Sequence, residues 1–83
     1  MKENKHVVVI GGGAIGQLMI QMAKHSGASA VILSEPIESR RRIALEVGAD
    51  YVVDPVKENL TARISEITNG DGTDVIIECV GKT

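Results

Sequence analysis

HVVVIGGGAIG, residues 6–16, joins an unbroken β-branched run to a cluster of glycines. Val7, Val8, Val9 and Ile10 carry no polar residue between them, as a strand does when both of its faces are buried. Gly11, Gly12 and Gly13 end the run, because glycine accepts the backbone angles of a tight turn that other residues resist. The first strand is therefore predicted over His6–Ile10.

Beyond the turn the apolar period changes. Ile15, Leu18, Met19, Met22 and Ala23 fall at i, i+3, i+4, i+7 and i+8, with Gln17, Gln21 and Lys24 off the stripe. This spacing predicts a helix over Ile15–Ser26 that buries that stripe, stopped by Gly27. Ala30–Ser34 is a second apolar run, and Pro36 keeps it from continuing as a central strand. Ser39 is a candidate cap for a second helix in which Ile43, Ala44 and Val47 share a face and which Gly48 ends. Tyr51–Val53 is a short third strand closed by Asp54 and Pro55. Leu60, Ile64 and Ile67 mark a third helix, broken by Asn69, Gly70, Asp71 and Gly72. Val75–Ile77 is a fourth strand, with Glu78 and Cys79 at its end.

The order is β-α-β-α-β-α-β, without repeats or linkers. Strands alternating with helices imply parallel pairing and right-handed crossovers, so the expected class is α/β, a doubly wound parallel sheet of Rossmann type with strand order 3-2-1-4. A complete fold of that kind has two further strands with their helices. Residues 1–83 are thus expected to form one partial dinucleotide-binding domain, a truncated piece of the whole.

Composition is consistent with that reading. Only one residue in the 83 is aromatic, Tyr51, so the core must be built from branched aliphatics. A chain this short buries only about 60–65% of its unfolded surface, which predicts modest stability. The net charge of −2 and the lack of aromatic stacking platforms disfavour nucleic acid as a partner. No apolar run approaches the roughly 20 residues of a membrane span, and the start lacks the layout of a signal peptide. A single cysteine, Cys79, permits no intrachain disulfide. It is compatible with a reducing compartment, and the expected location is cytoplasmic.

Gly11, Gly13 and Gly16 fit the spacing G-x-G-x-x-G. That pattern is weak alone and gains weight from a strand before it, a helix after it and an acid about 20 residues on, all of which are present. Gly11 would allow the sharp turn, Gly13 a close approach of backbone to a pyrophosphate, and Gly16 tight packing of the helix. The amides of Ala14 and Ile15 open the helix without intrahelical acceptors and form, with its dipole, a site for an anion. The plainer possibility is that the glycines only turn the chain.

Glu35 lies 19 residues after Gly16, at the end of the second strand. A carboxylate there can accept the hydroxyls of an adenosine ribose and would repel a 2′-phosphate, which favours NAD over NADP; the alternative is a solvated loop acid. Arg40, Arg41 and Arg42 complicate this preference, since an arginine near the ribose accommodates a 2′-phosphate. On one helical turn the three must diverge, so most of the run should be solvated, while one could stack on adenine. His6 and His25 have no sequence neighbour at metal or triad spacing, His25 being placed where a helix end favours a cation. Cys79 reads as a small buried hydrophobe. Nothing supplies a nucleophile, a general base or a metal site, so no catalytic residue is nominated.

The segments VVVIGGGAIGQLMIQMAKHSGA, VILSEP, RRRIALEVGADYVVDP and GTDVIIECVG resemble the cofactor half of zinc-dependent medium-chain alcohol dehydrogenases, in particular the polyol, butanediol and threonine dehydrogenase group. The resemblance spans essentially the whole chain, and Gly48-Ala49-Asp50 and Glu78-Cys79-Val80-Gly81 make it more specific than a glycine motif. It implies that a parent enzyme transfers hydride from a secondary alcohol, bound to a catalytic zinc, to NAD. It also implies that Ala14 and Ile15 bind the pyrophosphate through their amides and that Glu35 holds the ribose where the family more often has Asp. Arg40 would then lie beside the adenosine, and Val80 and Gly81 would contact the cofactor ribose. The family's zinc-binding catalytic domain and its last two cofactor-domain strands have no counterpart here, so zinc and hydride chemistry belong to the parent.

Other classes stay open on the residues. A stand-alone regulatory nucleotide-binding module shares the glycine turn and the acid. A purely structural domain would bind nothing, and a methyltransferase using S-adenosylmethionine also places an acid after its second strand. In the order 3-2-1-4 the fourth strand is an edge, so Val75, Ile76 and Ile77 are expected to promote self-association.

Overall fold

β1 (His6–Ile10) is the centre around which the rest assembles. In the computed structural model, which describes residues 5–79, it pairs in parallel with β2 (Ala30–Ser34) on one side and β4 (Val75–Glu78) on the other. β3 (Tyr51–Val53) adds to β2, again in parallel, giving the strand order β3-β2-β1-β4. The expected doubly wound α/β sheet is therefore what forms. Parallel neighbours cannot be joined by hairpins, so α1 (Ala14–His25), α2 (Glu38–Val47) and α3 (Leu60–Thr68) carry the crossovers.

Alternate residues of each central strand serve opposite faces. Val7 and Val9 of β1 and Val31 and Leu33 of β2 pack with Ile20 and Ala23 of α1 and Ala44 of α2. Val8, Ile32 and Val53 face the other way, under Leu60, Ile64 and Ile67 of α3. The valine run is apolar throughout because both faces are covered. Each such side chain contributes about 1.5–3 kcal/mol by its burial.

α1 buries only part of the predicted stripe: Ala23 is buried and Met19 packs against the core. Gly16, Ile20 and Ala23 face the sheet, while Ile15, Leu18 and Met22 are about half exposed or more. The cause is Gly16: a Cβ there would lie 1.9 Å from the Gly11 carbonyl oxygen, so the helix is pressed onto the turn along its glycine edge. That contact, rather than the largest apolar side chains, sets its rotation. The helix also begins at Ala14 and ends at His25, with Ser26 as its C-cap.

α2 differs in a similar way. Ser39 lies inside the helix and does not cap it; Ile37 holds the cap position, with no side-chain acceptor. Ala44 is buried and Val47 packs beside it, but Ile43 is largely exposed. α3 follows its predicted stripe. Asn59 caps it by accepting from the Ala62 N–H at 2.9 Å, and Asn69 closes it in the left-handed conformation, φ 54°.

Gly48-Ala49-Asp50 has a structural role. Gly48 turns out of α2 at φ 124°, and Ala49 is buried in the core. Asp50 then exchanges two bonds with Val31: its N–H donates to Val31 O, and its carboxylate accepts the Val31 N–H, both at 2.8 Å. Lys24 of α1 closes the unit with an ion pair to Asp50 at 3.1 Å.

Candidate functional site

The sheet order puts the C-terminal ends of β1, β2 and β4 side by side, and the glycine turn crosses above them. Gly11 adopts φ 101° and still donates its N–H to Ser34 O at 2.9 Å, continuing the β1–β2 ladder by one bond. Only glycine takes that angle without strain. Gly13 occupies the N-cap of α1 and has no capping side chain. The first intrahelical bond runs from Gln17 N–H to Gly13 O at 2.9 Å, so the amides of Ala14 and Ile15 have no acceptor within the helix. The space before Gly13 is open: a Cβ there would meet only the tip of Arg40, at 3.9 Å. The residues present therefore fit an anionic group set against the backbone.

Gly12, passed over in the spacing pattern, is more closely packed than Gly13. A Cβ on it would lie 3.1 Å from Leu33 Cδ2 and 3.2 Å from Glu35 Cγ and Oε1. Its N–H donates to Glu35 Oε1 at 2.5 Å, and its carbonyl accepts from Gln17 Nε2 at 2.9 Å. The third consecutive glycine, one more than the pattern needs, was the available signal.

Glu35 is only 3% exposed, so it is not a solvated loop acid. Its second oxygen accepts the Ile37 N–H at 2.9 Å. The carboxylate thus joins the glycine turn to the loop before α2, and each oxygen retains capacity for a further donor.

The three arginines diverge. Arg40 places a guanidinium nitrogen 3.8 Å from Glu35 Oε1, with its side chain half exposed. Arg41 turns inward, donating to Glu35 O at 2.8 Å and Pro36 O at 2.9 Å and pairing with Asp54 at 3.7 Å. Arg42 is exposed and pairs with Glu38 at 3.6 Å. Only Arg40 borders the cleft. Arg41 is instead a structural tie between the loop and the end of β3, the one member of the run that is not exposed, so most of the run is solvated as expected.

These groups surround a cleft of about 600 Å³, whose wall includes Gly11, Gly13, Ala14, Glu35 and Arg40. Ile10, Pro55, Leu60 and Cys79 supply its apolar side. Cys79 is partly buried, packing against the edge of the core while bordering the cleft, and its N–H donates to Ile10 O at 2.7 Å. Ile15 and Gly16 belong to the same turn without lining the cleft, and Val80 and Gly81 lie outside the described residues.

His25 is exposed at the end of α1. His6 has a partner invisible in local spacing: its N–H donates to Asp74 Oδ2 at 2.9 Å, and its Nδ1 lies 3.7 Å from the same oxygen. This pair sits at the start of β1, the far end of the sheet from the cleft. Arg63 of α3 is held above its ordinary pKa, first by its hydrogen bond to Glu66 and then by the charges of Glu66 and Glu58. Among the described residues no cluster of three or more His, Cys, Asp or Glu could hold a metal, and no helix is long and apolar enough to cross a membrane.

Comparison with known proteins agrees with this geometry. Residues 14–83 match the zinc-binding dehydrogenase family. The chain is 47% identical over 81 residues to scyllo-inosose 3-dehydrogenase of Thermotoga maritima, covering 98% of this chain and 20% of that protein. It is 48% identical over 77 residues to L-threonine 3-dehydrogenase of Pyrococcus furiosus, covering 93% of this chain and 22% of that one. A zinc-binding dehydrogenase structure from Sinorhizobium meliloti, bound to NADP, superposes with a TM-score of 0.87 at 41% identity, over 98% of this chain and 24% of that one. The chain thus spans about a fifth of the length of the curated relatives it matches. By the length of the match, the identity and the shared glycine-turn fold, it belongs to the zinc-binding dehydrogenase family.

Proposed function

We propose that residues 1–83 form a partial dinucleotide-binding domain whose ligand is NAD, serving a dehydrogenase that transfers hydride from a secondary alcohol. The observation that carries this reading is the open backbone cradle at Gly13, with free Ala14 and Ile15 amides above and buried Glu35 beside it. Gly11 and Gly16 shape the turn, Gly13, Ala14 and Ile15 receive the pyrophosphate, and Glu35 accepts the ribose hydroxyls. Arg40 lies along the adenosine, and Val80 and Gly81 complete the set. Zinc and the reacting alcohol belong to other parts of the parent protein.

Glu35 favours NAD, because a buried carboxylate beside the ribose repels a 2′-phosphate. One observation favours a second reading, in which NADP also binds: Arg40 stands 3.8 Å from Glu35 and partly offsets its charge. A relative solved with NADP is consistent with that tolerance. Titration of the chain with NAD and NADP, followed by calorimetry or amide NMR shifts, tests the preference. NAD should bind more tightly, with the largest shifts at residues 11–16. Tighter binding of NADP would overturn the role given to Glu35.

A further inference from the structure

Gln17 lies off the predicted apolar stripe and has no place in the glycine spacing, yet it makes two bonds that join the site. Its Nε2 donates to Gly12 O at 2.9 Å and to Arg40 O at 3.1 Å. Its Oε1 is buried without a partner. The opposite orientation of the amide would set that oxygen against two carbonyls, so the observed one is the orientation that satisfies more groups. A leucine would fill the same space without burying an unpaired acceptor. The distinct contribution of glutamine is therefore its two N–H bonds.

Those bonds fall on informative atoms. Glu35 pins the Gly12 N–H while Gln17 pins the Gly12 carbonyl, so both ends of one residue of the turn are held by side chains. The second bond of Gln17 takes the backbone of Arg40 in the first turn of α2. The Arg40 guanidinium then lies 3.8 Å from Glu35 Oε1 and faces the open side of Gly13.

We propose that Gln17 is a positioning residue for Arg40: by tying α2 to the glycine turn, it sets how well the site tolerates a 2′-phosphate on the bound dinucleotide. This rests on the functional reading above. A guanidinium can stabilise a phosphate only where its donors meet the oxygens, so loosening its backbone anchor affects NADP more than NAD.

The test uses Gln17→Leu, Arg40→Met and the double variant of the 83-residue chain, each titrated with NAD and NADP. Gln17→Leu should weaken NADP about tenfold more than NAD, the scale of a displaced charge-assisted bond. In the Arg40→Met background the same substitution should leave the ratio of the two affinities unchanged, because the coupled partner is gone. Equal weakening of both cofactors by Gln17→Leu, or an altered ratio that persists without Arg40, overturns the inference alone. If the wild-type chain binds neither dinucleotide, the functional reading fails and this inference with it. Should Gln17→Leu not fold, judged by its amide spectrum, Gln17→Asn shortens the reach by one methylene and gives the same readout.

Discussion

Two glycines three residues apart illustrate how one substitution can act on different properties. At Gly16 a methyl group would sit 1.9 Å from the Gly11 carbonyl, and neither backbone can yield cheaply. Gly16→Ala should therefore cost at least about 3 kcal/mol, the upper range for overpacking. In a chain of this length that lowers the melting temperature by more than about 10 °C, measurable by circular dichroism. At Gly13 the nearest obstacle is a flexible arginine tip at 3.9 Å, and φ is −73°, which alanine adopts freely. Gly13→Ala should keep the melting temperature within a few degrees, the range of an unstrained substitution, while weakening NAD by obstructing the approach of its pyrophosphate. Unchanged NAD affinity in Gly13→Ala would remove that residue from the binding set. Both glycines were visible as a spacing pattern, but the contact that makes one structural and leaves the other open was not.

At the scale of elements, the capping residues differ in how far they could be read. Asn59 accepts the Ala62 N–H and so satisfies one of the free donors at the start of α3. Asn59→Ala should cost about 1 kcal/mol in urea unfolding. Ser39 had the right chemistry for a cap but sits one residue inside α2, so Ser39→Ala should stay within about 0.5 kcal/mol of wild type. A cap depends on the conformation of the residue before the helix, and here Glu35 already takes the Ile37 N–H in that loop. The helix therefore starts at Glu38, ahead of the serine. α1 was legible as a helix with almost its true limits, yet its buried face only in part, through Met19 and Ala23. Hydrophobic spacing favoured Ile15, Leu18 and Met22, whereas steric contact at Gly16 turned Ile20 inward.

For the whole molecule, the expected edge is present in the order β3-β2-β1-β4. β4 pairs only with β1 among the described strands, and Ile76 on its α3 face is 59% exposed. Met19 and Met22 of α1 border the other face beside Val75 and Ile77. An unpaired strand with apolar side chains favours association, so sedimentation should show self-association that rises with concentration. Ile76→Lys should reduce it by placing a charge on the edge; a monodisperse monomer in the wild-type chain would count against this behaviour.

The sequence alone was enough to determine the seven elements, their parallel arrangement, the glycine turn and its acidic partner. Each depends on residues near one another in the chain: apolar period, glycine placement and the distance from Gly16 to Glu35. The tertiary structure alone decided what those residues touch. Gly12 meets Glu35 and Gln17 meets Arg40, each across 23 residues, while His6 meets Asp74 across 68. Such pairings come from strand register and helix rotation, which follow from packing the whole chain at once. That is why the glycine turn could be recognised from its spelling, while the brace around Gly12 and the partners of the diverging arginines became visible only once the strands stood side by side.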